Sequence, residues 1–318
     1  MTKRILDKLI LSACVLLCAC AGSRDVAENS ASEKPKHFLW KVSDENSSVW
    51  ILGSVHFADS SFYPLDSVIE NAFVNAEELA VEIDVSNDSV SSEVVEQSTR
   101  QGMLPEGETL QSLLPATTWK TFDSVCTAWN VPSANFQRLR PWLAAMTISS
   151  VAIQRTGIDP NLGIDVVLLD RAATDGKAIV GLETADEQVS AVADTDDSDS
   201  AGVYYLQTTL REISELDSMV AWVLRAWKTG DEDLLRMVMN EDEDDSCDDC
   251  DSVAAQKFKD ELEQKIYTSR NAKMAEKIAG FLAEDRNMFI VVGAAHLALD
   301  KDNVIERLRA CGLKVERF

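Results

Sequence analysis

The chain has 318 residues, of which 46% are hydrophobic and 26% charged, values typical of a folded chain long enough to bury a sizeable core. Asp and Glu number 54 against 30 Lys and Arg, a formal net charge of -24. Such a surface repels nucleic-acid phosphates and anionic bilayers, so no nucleic-acid partner and no electrostatic membrane docking are expected.

The first segment, "MTKRILDK", carries Lys3, Arg4 and Lys8. The apolar run "LILSACVLLCA" follows and is too short to span a bilayer as a permanent helix. Small Ala19 stands just before Cys20 in "LCAC". This pattern resembles a bacterial lipoprotein signal, with residues 1–19 removed and Cys20 lipidated. Cys14 in "LSAC" competes for that role but leaves a very short apolar core, and an ordinary signal peptide or an anchor helix is the alternative. Residues 20–37 lack apolar periodicity and read as a flexible tether. The expectation is lipid-anchored attachment at the cell envelope. Ala21, not Asp, follows the cysteine, which points to the outer membrane facing the periplasm.

Residues 38–318 read as the folded part. "HFLWKV" and "SVWILGSV" are two strands joined by the polar turn "SDENS", hence a hairpin. "LDSVIENAFVNAE" has apolar spacing near 3.6 and predicts a helix, and "ELAVEID" predicts a third strand ending in Glu82 and Asp84. From about 88 to 172 the pattern is helical, in "SSEVVEQSTRQGM", "TLQSLLPATTWKTFDSVCTAWN", "WLAAMTISSVAIQRT" and "GIDVVLLDRAATDG". Prolines at 105, 115, 132, 141 and 160 punctuate these segments. "KAIVGLE" predicts a strand ending at Glu183. Residues 201–230 read as one long amphipathic helix, with further helical pattern on to about 284. "NMFIVVGAA" predicts a buried strand, "DNVIERLRACG" a helix and "LKVERF" a closing strand. Strands and helices alternate at both ends, so the expected class is α/β. A central mixed or parallel sheet is flanked by helices, with mostly helical elaborations over about 88–172 and 200–284.

Cys247 and Cys250 lie in the acidic stretch "NEDEDDSCDDCDS". Their C-x-x-C spacing suits a small disulfide loop, a redox pair or two metal ligands. No histidine is near to complete a zinc site, and the strand-to-helix context of a redox pair is missing. A solvated acidic loop with a disulfide is the leading reading, and weak divalent-cation binding by its carboxylates the second.

Four polar residues occupy one kind of place. His56, Glu82, Glu183 and His296 each stand at or just past the C-terminal end of an apolar strand, where open α/β sheets form their ligand crevice. Only three histidines exist in the chain, and two of them follow the same pattern of strand, Gly, two residues, His. Two imidazoles and two carboxylates there can bind a divalent metal. They can equally supply a general base and an orienting acid, or simply cap strand ends through hydrogen bonds. The glycine before each histidine allows close backbone approach or a sharp turn.

In order along the chain stand "LGSVHFAD", "YPLDSVIENAF", "LAVEID", "LRPWLAA", "GID", "GLETADEQ", "SRNAKMAEKIAGFL" and "VVGAAHLA". Together these resemble the TraB/PrgY/GumN family, to which the Tiki metalloproteases are related. The resemblance puts the family's hallmark histidines and strand-end glutamate on His56, His296 and Glu82. Its recurrent Glu and Gln fall on Glu183 and Gln188, and its Arg-Asn pair on Arg270 and Asn271. An arginine there can clamp a carboxylate, stabilise a developing oxyanion or form an internal ion pair. The resemblance implies a divalent metal such as Mn2+ or Co2+, and the ligand types are also compatible with Zn2+. The metal would activate a water and polarise a carbonyl, with Glu82 or Glu183 as ligand or general base. Two departures stand out. "HLALDKDN" lacks the Gly that often follows the second histidine motif, having Leu299 and Asp300 instead, and the Cys247–Cys250 insertion is private to this chain.

The expected function is a metal-dependent, peptidase-like hydrolase acting on a peptide or protein. The competing expectation is a non-enzymatic lipoprotein that binds a peptide signal or a haem-like ligand in the same crevice. Tyr63, Tyr204 and Tyr205 are the candidate haem ligands. Two imidazoles sharing one cation must lie within about 8 Å of each other.

Overall fold

The hairpin forms where alternation places it. β1 (Leu39–Ser43) and β2 (Ser48–Ser54) pair antiparallel, with Trp40 opposite Ile51 and the polar turn between them. This computed structural model describes residues 37–193, 199–239, 261–299 and 302–318. Cys20, Cys247 and Cys250, and with them the anchor and disulfide expectations, lie outside those residues. Cys126 and Cys311 are free thiols.

β3 (Glu78–Val81), β4 (Ala178–Gly181), β5 (Met288–Gly293) and β6 (Lys314–Arg317) complete a six-stranded sheet of order β4-β3-β5-β2-β1-β6. The β2–β5, β5–β3 and β3–β4 pairs are parallel, while β1 runs antiparallel to both β2 and β6. β5 sits in the middle, which is why all six of its residues, "MFIVVG", are apolar or Gly and all are buried. The edge strand β6 alternates exposed and half-buried residues.

Helices pack on this frame. α1 (Ser67–Asn75) starts at Asp66, whose side chain accepts from the Val68 N–H, and α2 (Asp88–Gly102) starts at Asn87 in the same way. Residues 109–130 form two helices, α3 (Leu110–Leu113) and α4 (Ala116–Ala128), where the pattern suggested one. Pro115 causes the break, because it lacks an N–H and drives the preceding residue out of helical geometry. α5 (Pro141–Arg155) carries proline at its first position and is buried along almost its whole length. α6 (Ile164–Asp175) and α7 (Ala185–Ser190) follow, the latter with a Thr184–Glu187 capping box.

The expected long helix over 201–230 is instead two helices, α8 (Ser200–Glu212) and α9 (Leu216–Thr229). The two halves serve different cores. α8 buries Tyr205, Leu206 and Leu210 in a helical core with Leu110, Phe122, Phe136 and Trp142. α9 buries Val220, Val223 and Trp227 in the core that covers the sheet, with Ile51, Phe73 and Ile290. A turn at 213–215 redirects the chain between them.

α10 (Glu232–Met239) comes next. A π-helical turn at Gln264–Thr268 leads into α11 (Ser269–Ala283). β5 passes directly into α12 (Ala294–Ala298), so His296 stands on a short helix rather than in a loop. α13 (Val304–Ala310), capped by Asn303, ends the helical set. Among the described residues no helix is long and apolar enough to cross a membrane.

Candidate functional site

Parallel pairing brings four strand ends to one edge. Ser54 lies opposite Gly293, Val81 opposite both Gly181 and Val291. Past the strands the chain keeps the same alignment, since the Glu183 N–H donates to the Glu82 carbonyl at 2.8 Å. His56, Glu82, Glu183 and His296 therefore meet, as their strand-end positions predict.

The repeated Gly-x-x-His pattern has a physical reason: its two copies are neighbours. A Cβ on Gly53 would stand 2.9 Å from the Ala294 Cα, so the strands approach this closely only with glycine there. A Cβ on Gly293 would stand 3.3 Å from Glu82 Oε1, 3.4 Å from His56 Nε2 and 3.6 Å from His296 Cδ2. Both imidazoles and the Glu82 carboxylate thus face one small gap left by a missing side chain.

Arg270 organises the carboxylates. Its Nε and Nη2 donate to the two oxygens of Glu183 at 2.7 Å each, and Nη2 also reaches Glu82 Oε2 at 2.7 Å and Gln188 Oε1 at 3.2 Å. Nη1 donates to the Ile266 carbonyl, inside the π-helical turn that precedes α11. Such a turn shifts side-chain directions within a helix and is frequent at functional sites. Glu82 accepts on its other oxygen from the Gly293 N–H at 2.6 Å, and that oxygen lies 4.0 Å from His296 Nε2. Arg270, Glu183, Asn271 and His296 are all buried.

Each histidine is held by its far nitrogen. Asn271 Nδ2 donates to the Asp302 carbonyl, which turns Asn271 Oδ1 toward His296 Nδ1 at 2.6 Å. His296 Nδ1 must therefore carry the proton, and Nε2 is left as a lone pair. His56 Nδ1 lies 2.9 Å from Asp165 Oδ2, the same arrangement with a carboxylate. Asp165 arrives there because the segment before α6 is stapled to the chain after β2: Ala58 and Asp159 bond to each other, and the Ile164 N–H donates to the Val55 carbonyl.

Charge is distributed unevenly. Burial pushes the His296 imidazole down most, the Arg270 guanidinium adds to it, and the result is about 3, so this ring is neutral at ordinary pH. Burial also pulls His56 down, but the charge and hydrogen bond of Asp165, with Glu82 behind them, outweigh it and leave His56 raised. Glu82 is pushed up by burial and pulled down further by Arg270 and the two imidazoles, so it ionises below the usual carboxylate range. Burial raises Glu183 against the pull of Arg270.

The donor set fits a divalent cation on three counts. His56 Nε2 and Glu82 Oε1 border the Gly293 gap, and His296 Nε2 lies 4.0 Å from that same carboxylate oxygen. The outer nitrogens of the two imidazoles are fixed by a carboxylate and an amide, the support that metal-ligating histidines have. The buried Ser54 Oγ and Asp165 Oδ1 have no hydrogen-bond partner. Among the described residues, however, no three His, Cys, Asp or Glu side chains stand in ligating geometry. Arg270 holds one Glu82 oxygen and both Glu183 oxygens.

Two participants escaped the sequence reading. Asp165 was visible only as the last letter of the motif "GID", with nothing to link it to His56. Ser54, 2% exposed, reads as an ordinary strand end. Both border a small cavity of about 40 Å³ beside the histidine. A larger cavity of about 140 Å³ opens on the other side, with His56, Glu82, Gly293 and His296 along its floor. Tyr205 and Tyr267 line it, and the Tyr267 ring lies 5.5 Å from the His296 ring.

Residues 38–317 match the sequence profile of the TraB/PrgY/gumN family. The chain is similar to Uncharacterized protein YbaP of Escherichia coli (strain K12), 24% identical over 204 residues that cover 62% of this chain and 73% of that protein. It is 23% identical over 355 residues to Metalloprotease TIKI2 of Danio rerio, covering 95% of this chain and 67% of that one. An uncharacterized protein of Treponema pallidum (strain Nichols) is 22% identical over 187 residues, 57% and 55% of the two chains. No solved structure matches.

Proposed function

This chain belongs to the TraB/PrgY/gumN family, and from that membership and the site geometry we propose that it is a metal-dependent hydrolase whose substrates are peptides or proteins. One observation carries the reading: two histidines, each held at Nδ1, border the gap at Gly293 together with the Glu82 carboxylate, with His56 Nε2 at that gap and His296 Nε2 4.0 Å from Glu82 Oε1. The distant likeness to a protein named as a metalloprotease supports it.

His56, His296 and Glu82 would hold the ion. When bound, a divalent cation supplies an activated water and polarises the carbonyl to be attacked. Mn2+ or Co2+ is the favoured ion, on the family resemblance, and the donors also suit Zn2+. The protein's own groups do the rest. Asp165 and Asn271 keep the imidazoles in the ligating orientation. Glu183 spends both oxygens on Arg270, so it positions that guanidinium and leaves Glu82 as the carboxylate at the Gly293 gap. Released from Glu82, Arg270 is placed to steady negative charge on a reacting carbonyl oxygen.

The test is metal titration of chelator-stripped protein by calorimetry, followed by a peptide-library cleavage screen. His56→Ala and His296→Ala should each weaken binding at least tenfold and remove cleavage, with little change in fold. Wild-type metal affinity in both variants would refute the proposal.

A second reading is binding without cleavage. The observation in its favour is that Arg270 already neutralises Glu82. Of the candidate tyrosines, Tyr63 gives its hydroxyl to the Leu162 carbonyl at 2.7 Å, while Tyr205 lines the cavity, as Tyr267 also does. A visible absorption band on haem addition, lost in Tyr205→Phe, distinguishes this case. We further propose attachment at the cell envelope through Cys20; Cys20→Ser should abolish lipid labelling, and labelling that persists would move the anchor to Cys14 or discard it.

A further inference from the structure

We propose that the larger cavity is a specificity pocket for one apolar side chain, such as Phe, Leu or Met, flanking the bond cleaved in a peptide substrate. The inference rests on the hydrolase reading but is tested apart from it. Its first support is continuity: His56, Glu82, Gly293 and His296 line the cavity floor, so whatever fills it touches the proposed reacting centre. Its second is chemistry. Ile153 of α5, Ile213 of the α8–α9 turn, Leu216, Met219 and Val223 of α9 and Leu235 of α10 line the walls. Its third is size. The volume is about 140 Å³. An engineered apolar cavity of about 150 Å³ stays dry and takes up benzene, so this space holds one ring or one unbranched chain and no more.

The cavity also explains the broken helix. A continuous α8–α9 rod would follow a single core, whereas the turn at 213–215 carries Ile213 and Leu216 to the cavity wall. Glu212 and Glu215 flank that turn and line the same space. The Glu215 carboxylate disfavours an acidic side chain in the pocket, which sets the expected order as Phe, Leu and Met above Ala, and Ala above Asp.

The experiment uses the full chain, stripped of metal, and blocked tripeptides acetyl-Ala-X-Ala-amide with X as Trp, Phe, Leu, Met, Ala or Asp. Binding is followed by saturation-transfer NMR. Phe, Leu and Met peptides should bind at least about tenfold more tightly than the Ala peptide, the scale on which an apolar pocket separates side chains of different size. Met219→Trp, which fills the space, should erase the preference. Leu235→Ala, which widens it, should shift the preference toward Trp and covers the case in which the first variant does not fold. Equal binding of Phe and Ala peptides, or an unchanged order in both variants, overturns the pocket. If the order holds but no metal restores cleavage of any peptide, the hydrolase reading fails and the pocket stands. If peptides are cleaved with no regard to X, the pocket fails and the hydrolase stands.

Discussion

Replacing His296 by Asn should remove a specific pH dependence of stability. The imidazole is buried beside Arg270, and its folded-state value is about 3 against 6.5 for the free side chain. The folded protein therefore keeps this ring neutral, while the unfolded chain takes up a proton below about pH 6.5. Stability from this group is full above that pH and is lost as pH falls toward 3. At about 1.4 kcal/mol per unit the whole span is near 5 kcal/mol, and the part lost between about pH 7.5 and pH 5 is about 2 kcal/mol. His56 is shifted the other way and offsets some of the wild-type slope, so the wild type alone does not isolate the effect. The variant does. Asn at 296 keeps a donor for Asn271 Oδ1 and leaves the charges near Glu82 unchanged, since the native ring is neutral. Urea denaturation of both proteins in chelator, at the two pH values, gives the comparison. The wild type should lose about 2 kcal/mol relative to the variant on acidification. A difference that stays constant within about 0.5 kcal/mol would show that burial and Arg270 do not hold the ring neutral.

Further predictions concern single contacts. Arg270→Leu should cost about 3–5 kcal/mol, because it strands two buried carboxylates, and adding Glu183→Gln should recover part of that loss; strictly additive urea midpoints would break the argument. Gly53→Ala forces a Cβ to 2.9 Å from backbone and should destabilise by about 1–3 kcal/mol. Gly293→Ala places a Cβ 3.3 Å from Glu82 Oε1 and 3.4 Å from His56 Nε2, close enough that these groups must shift, so the metal affinity measured by calorimetry should fall sharply. Ser54→Ala removes a buried hydroxyl that has no partner and should be neutral or stabilising by up to about 1–3 kcal/mol in metal-free protein; a clear loss of stability would mean that the hydroxyl is satisfied.

The strands were the most legible part of the sequence. Each is an apolar run closed by a turn signal, and their parallel order follows from the alternation with helices. Once their C-terminal ends are aligned, His56, Glu82, Glu183 and His296 must gather, because each stands just past such an end. What the local pattern does not carry is contact made through loops. Asp165 reaches His56 because bridges at Ala58 and Val55 fold the segment before α6 back on the chain after β2, a pairing without periodicity. The break between α8 and α9 was hidden because both halves keep helical spacing and differ only in which core they face. Pro115, by contrast, was a readable signal whose consequence for residues 109–130 was understated. Arg270 stood in view as part of a motif, but its hold on two carboxylates from different strands depends on the sheet order and is not written in any single segment.

The side-by-side strands β2 and β5 also set when the site can exist. They carry the two histidines from opposite ends of the chain, so His56 leaves the ribosome about 240 residues before His296 does, and long-range parallel pairing of this kind forms late in folding. No fragment that stops short of β5 holds a paired set of imidazoles, and no nascent or partly folded chain does either. On the hydrolase reading proposed above, the site becomes competent only when its last strands close the sheet.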